Sequence, residues 1–105
     1  MIHTLNDYQA KALSFRLPSA TSDYALFNLS GEVGELHSLI AKAIRDGAKF
    51  DFELQVKKEL GDVLWCLAAV AADYGFTLSD IANSNILKLE SRSNRGVLSG
   101  SGDNR

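Results

Sequence analysis

Apolar residues recur at intervals of three and four along most of this chain, and the strict alternation expected of strands is nearly absent, so the pattern predicts helices. The first segment spans about Leu5 to Leu17, with Leu5, Tyr8, Ala12 and Phe15 on one face. Pro18 ends it, and Ser19-Ala20-Thr21-Ser22 form a loop able to cap the next helix. The second runs from about Asp23 to Arg45 on the stripe Leu26, Leu29, Val33, Leu36, Ile40 and Ala43, closed by the turn signal Asp46-Gly47. The third runs from about Phe52 to Tyr74 on the stripe Val56, Leu60, Val63, Leu67, Val70 and Tyr74, with Gly75 as its stop and Phe50 and Phe52 expected to anchor the preceding loop. Thr77-Leu78-Ser79-Asp80 has the form of a capping box opening a fourth helix through about Ser93.

These elements predict an all-α bundle: a helical domain over residues 1–95, followed by a Gly/Ser-rich tail over 96–105 that alone reads as flexible. Between Leu64 and Ala72 the third helix is apolar on nearly every face. Such a helix lies in a core or an oligomer, which predicts at least a dimer, with a tetramer plausible.

Composition narrows the function classes. A length of 105 residues is one domain, and a net charge of -2 provides no basic field for nucleic acid polymers. The longest apolar run, Val63 to Ala72, is too short to span a bilayer. The N-terminus carries His3, Asn6 and Asp7 where a signal peptide needs basic then apolar residues. With Cys66 as the single cysteine, these features lead to the expectation of a cytoplasmic protein.

Candidate chemistry lies in an internal echo. Glu32-Val33-Gly34-Glu35-Leu36 and Glu59-Leu60-Gly61-Asp62-Val63 both read acid, apolar, Gly, acid, apolar. Each presents two carboxylates three residues apart on one helix face, each acid one position before a stripe residue, so both pairs are expected to flank the buried seam. Gly34 and Gly61 each cost about 1 kcal/mol inside a helix, which suggests close approach of backbones or of a ligand. A single E-x-x-E is ordinarily a solvated surface. Two copies in matched register predict that Glu32, Glu35, Glu59 and Asp62 converge, and four close carboxylates need a cation between them. Oxygen donors without histidine or cysteine point to Mg²⁺, with Mn²⁺ as a possible substitute, and the absent Glu-x-x-His pairs disfavour a di-metal redox bundle.

Groups for a nucleotide ligand are available at Lys42, two turns after Glu35, and on the fourth helix at the neutral Asn85 and the cations Lys88 and Arg92, with Arg95 and the tail beyond. Asn85 suits sugar or base and the cations suit phosphate oxygens; the ordinary alternatives are a solvated helix face and a disordered end. Trp65 and Cys66 read as core residues, and His3 and His37 as surface or supporting groups.

The acids Glu32-x-x-Glu35 and Glu59-x-x-Asp62-Val63-Leu64, with the ending Lys88-Leu89-x-x-Arg92-x-x-Arg95-Gly96 through Gly102-Asp103-Asn104-Arg105, resemble the MazG-like all-α nucleoside triphosphate pyrophosphohydrolases, small single-domain members included. The resemblance implies a four-helix bundle-like fold, an active homodimer or homotetramer, Mg²⁺ at the four acids, and hydrolysis of an NTP or dNTP to the monophosphate and pyrophosphate in housecleaning or pool control. Relatives that prefer pyrimidines carry an aromatic where this chain has Cys66, so their base preference is not carried over. The alternative is an inactive helical nucleotide-binding or regulatory module.

Overall fold

The computed structural model describes residues 1–105 as four helices without strands: α1 Leu5–Leu13, α2 Ser22–Asp46, α3 Phe52–Asp73 and α4 Leu78–Asn94. The all-α expectation holds, and three of the helices match their predicted spans to within one residue at each end. α1 stops four residues early because Pro18 disfavours helical backbone at Leu17, and the chain leaves the helix through turns at Phe15 and Arg16. The Arg16 guanidinium then donates to both carboxylate oxygens of Asp73 at 2.8 and 3.0 Å, tying the exit of α1 to the end of α3.

Local chemistry explains the other ends. Thr21 caps α2 by accepting from the Tyr24 amide, and Gly47 releases the chain at φ 89°. The predicted capping box of α4 is present: Thr77 Oγ1 accepts from the Asp80 amide at 3.1 Å, and Asp80 accepts from the Thr77 amide at 3.3 Å.

α2 and α3 form an antiparallel helical hairpin. Asn28 meets Cys66 and Glu32 lies near Asp62, so four residues forward along α2 is four back along α3. Their closest surfaces are small or polar: Ala25 on α2, and Cys66 and Ala69 on α3, are buried. α1 lies against the second half of α3, where Trp65 Nε1 donates to the Ala12 carbonyl at 3.1 Å. This places Trp65 in the packing, as its apolar surroundings predict. α4 leaves α3 at 97° and leans on the start of α1. No single helix is long and apolar enough to cross a membrane.

The buried seam matches the predicted one in part: Val56, Val63 and Val70 of the α3 stripe are half-buried. On the expected α3 stripe, Leu60, Leu67 and Tyr74 are 51%, 44% and 70% exposed, while Cys66 and Ala69 are buried. Glu59, Asp62, Cys66 and Ala69 are spaced by three, four and three, so the acids share a face of α3 with the buried Cys66 and Ala69, with Glu59 half-buried and Asp62 exposed. Small side chains permit this close approach, and the leucines are left facing outward. The two helical glycines also depart from expectation: a Cβ at Gly34 or Gly61 meets nothing within 4 Å, so no close approach inside the chain requires them. Phe50 is fully exposed and anchors nothing, whereas Phe52 is half-buried.

One buried polar side chain joins three helices. Gln9 on α1 donates from Nε2 to the carbonyls of Ala68 (3.1 Å) and Phe76 (3.2 Å), and its Oε1 accepts from the Leu78 amide at 3.0 Å. Gln9→Leu removes all three bonds and leaves the buried Leu78 amide and the Phe76 carbonyl without this partner. It is expected to lower the unfolding free energy by about 2–3 kcal/mol in urea titrations. A change below about 0.5 kcal/mol is the contrary result.

Candidate metal and substrate site

Ligand atoms of Glu32, Glu59 and Asp62 lie within 4.8 Å of one another where α2 and α3 cross. Three of the four predicted acids therefore converge. Glu35, one turn along α2, stands outside that group and faces a neighbouring cleft, near enough for its charge to act on Glu32. Burial above all, then the charges of Asp62 and Glu59, raises the Glu32 carboxyl above its ordinary value; a hydrogen bond from Asn28 partly opposes this. The sources of the shift are those a bound cation would relieve, and all the donors are hard oxygens, so the residues fit a divalent ion of the Mg²⁺ type.

Asn28, Tyr8 and Cys66 complete one side of the cluster. The Asn28 Nδ2 donates to Glu32 Oε1 and to Cys66 Sγ, both at 3.5 Å. Cys66 is 1% exposed. Burial raises its thiol first and the Glu32 and Asp62 charges add to that, while the Asn28 contact works the other way. A thiol held protonated in this way is a poor nucleophile, in keeping with its reading as a packing residue. The half-buried Tyr8 has its phenol raised by burial, then by Asp62 and Cys66. Asn28 lies one turn before Glu32 and was findable as a polar residue on the acid face. Tyr8 reaches the site only through the docking of α1, which local spacing does not encode.

On the other side, α2 and α3 diverge toward their connecting loop and enclose a cleft of about 510 Å³. Glu35 and Glu59 line its inner end, and Lys42, Lys49, Phe52 and Gln55 also border it. Lys42 thus shares a cavity with two of the acids, as its spacing from Glu35 predicts. His3 and His37 are exposed.

The α4 candidates lie elsewhere. Asn85 and Lys88 border an open recess with Phe76, Asp80, Ile81 and Ser84, none of them among the four acids. Arg92 is only 6% exposed, and its guanidinium donates to the carbonyls of Gly102 and Asp103. Arg95 donates to Ser91 Oγ and to the Arg105 main-chain oxygen. The tail is folded back onto α4: Arg105 donates to the carbonyls of Val97, Leu98 and Gly102, and the Asp103 carboxylate sits 3.4 Å from Lys88 and 3.5 Å from Arg92. Lys88, followed by Arg92, holds the Asp103 carboxyl below its ordinary value.

The profile of the MazG nucleotide pyrophosphohydrolase domain matches residues 21–97, which contain all four acids and α2, α3 and α4. The Gene 37 protein of Mycobacterium phage L5 is 39% identical over 85 residues, covering 78% of this chain and 75% of that protein; its name states no activity. No solved structure matches.

The crowded acids give a thermodynamic signature. Because the folded state raises the Glu32 pKa, its proton is held more tightly in the folded chain than in the unfolded one. Below the ordinary value of 4.5 the carboxyl is protonated in both states and its charge costs nothing. As pH rises through the folded value, that advantage is lost. Metal-free Glu32→Gln is therefore expected to melt roughly 2–5 °C above the parent at pH 7. The gap should shrink toward pH 4, and added Mg²⁺ should stabilise the parent more than the variant. Equal melting temperatures across that pH range in calorimetry are the opposing outcome.

Proposed function

The chain belongs to the MazG nucleotide pyrophosphohydrolase family, and from that premise we propose that it hydrolyses a nucleoside or deoxynucleoside triphosphate to the monophosphate and pyrophosphate with Mg²⁺, serving housecleaning or nucleotide-pool control. The observation that carries this reading is the convergence of Glu32, Glu59 and Asp62, with Glu35 beside them on a cleft that also holds Lys42. Glu32, Glu59 and Asp62 hold the metal, and Mn²⁺ is a plausible substitute because the donors are the same hard oxygens. When bound, the ion supplies neutralisation of phosphate charge and acidification of a water.

The remaining work falls to the chain. Glu35, outside the three-carboxylate group, keeps an oxygen free to accept the proton of the attacking water, and so is the candidate general base. Attack at the α-phosphorus forms the new P–O bond. The bond to the α–β bridging oxygen breaks, and its electron pair leaves with pyrophosphate. Lys42 lies where leaving-group charge grows. Asn85 and Lys88 border an open recess and are proposed as further nucleotide contacts. Arg92 and Arg95 act through the tail that they hold.

The active form in this reading is a homodimer or homotetramer. Leu60, Leu64, Leu67 and Tyr74 on α3, and Ile86, Leu87 and Leu89 on α4, stand exposed in the single chain. A second copy is the simplest cover for an apolar face of that extent. Size-exclusion chromatography with light scattering should give at least twice the 11.4 kDa chain mass, and Leu60→Glu with Leu67→Glu should shift it to the monomer. A monomeric parent at micromolar concentration contradicts the assembly.

Activity is tested by chromatography of a panel of NTPs and dNTPs incubated with protein and Mg²⁺, then Mn²⁺. Release of monophosphate and pyrophosphate is expected. Glu59→Gln should abolish it, whereas Glu35→Gln should lower kcat by at least about a hundredfold with the Mg²⁺ requirement little changed. No turnover of any nucleotide with either metal sinks the enzyme reading.

A further inference from the structure

The surroundings of the acids divide by charge. Toward the α2–α3 loop lies the cleft with Lys42 and Lys49, neither of which takes part in an ion pair. Arg45 also reaches the cleft, but its guanidinium is engaged by Asp46 at 2.6 Å. On the opposite side the neighbours are Asn28, Cys66 and Tyr8, neutral and at least half-buried. In the third group of cations, Arg92 and Arg95 are taken up by the tail, and Lys88, 3.4 Å from the exposed Asp103 carboxylate, borders a separate recess that contains none of the four acids.

A nucleoside triphosphate is itself divided by charge. Most of its negative charge lies at the β- and γ-phosphates, while the sugar and base are neutral and present hydrogen-bonding groups. Placing the terminal phosphates against Asn28, Cys66 and Tyr8 would bury charge against groups that cannot neutralise it. Placing them in the cleft sets them beside two free ammonium groups.

Resting on the pyrophosphohydrolase reading, we propose that the cleft between Glu35, Lys42, Lys49 and Glu59 is the seat of the β- and γ-phosphates, and thus of product pyrophosphate. The nucleoside then lies across the acids, toward Asn28, Cys66 and Tyr8. This gives the substrate a direction. The α-phosphate spans the carboxylate cluster, and Lys42 and Lys49 receive the charge that develops on the leaving pyrophosphate as the bridging P–O bond breaks. Lys49 thereby enters the site as a residue that the paired acidic motifs did not reveal. It also makes pyrophosphate, more than the monophosphate, the product whose binding depends on this cleft.

The test is isothermal titration of the parent protein and a Lys42→Ala/Lys49→Ala variant with inorganic pyrophosphate in excess Mg²⁺, alongside a panel of nucleoside monophosphates. Lys42→Gln/Lys49→Gln serves as a second variant that keeps the bulk of the side chains. Lys57→Ala/Lys58→Ala, which removes two exposed charges of α3 that do not line the cleft, is the charge control. Both cleft variants should weaken pyrophosphate at least about tenfold, leave monophosphate binding within about twofold, and differ clearly from the control. Unchanged pyrophosphate affinity, a loss equal to that of the control, or no binding of pyrophosphate to the parent overturns the assignment. Turnover by the parent with unaltered pyrophosphate affinity in the cleft variants overturns only this orientation. Absence of turnover overturns the enzyme reading on which it rests.

Discussion

The carboxamide of Gln9 is held by two carbonyls and one amide, all main-chain groups of α3 and of the connection into α4. A buried amide with its partners in place costs little, and one without them costs several kcal/mol. The turn between α3 and α4 is therefore pinned to α1 here, and a second bond, from the Ser79 amide to Asn6 Oδ1 at 3.1 Å, ties the start of α4 to α1. These bonds hold α4 against α1 at its 97° departure from α3, and with it Asn85, Lys88 and Arg92. The bidentate Arg16–Asp73 pair repeats the tie nearby, and together they bring α1, and so Tyr8, to the end of the hairpin that bears the acids.

Within the hairpin, packing and electrostatics oppose each other. Alanines and a cysteine let α2 and α3 approach closely, and the same line of positions carries Glu32, Glu59 and Asp62. Close approach brings like charges within 4.8 Å in a partly desolvated setting, which raises the Glu32 pKa. A fold optimised for the stability of the metal-free chain would not keep this arrangement. In the proposed function, binding of a cation would return that free energy.

The amphipathic pattern has two destinations. Small residues face inward and bury the chain against itself. The larger leucines of α3 and α4 face outward, so the stripe that announces a helix does not announce its partner. The same division explains why a Cβ at Gly34 or Gly61 would meet no neighbour inside one chain. Each glycine sits beside an acid, on the outer surface of the hairpin.

The number, type and approximate ends of the helices were legible in the sequence because they follow from local chemistry: periodicity, Thr caps, Gly stops and the ring of Pro18. The likeness of the two acidic motifs was legible too, since spacing by three places carboxylates on one face whatever the helix packs against. Other features depend on contacts between residues far apart in the chain, which local patterns do not encode. These include which face of α3 is buried, that Glu35 stands outside the three-carboxylate group, that Asn28 and Tyr8 border it, and that Arg92 is covered by the tail. The sequence by itself determined the helices and the acids they carry. Only the tertiary structure decided which acids meet and which cations are left free beside them, because hydrophobic burial constrains the face of a helix weakly while hydrogen-bond satisfaction and charge repulsion constrain specific atoms.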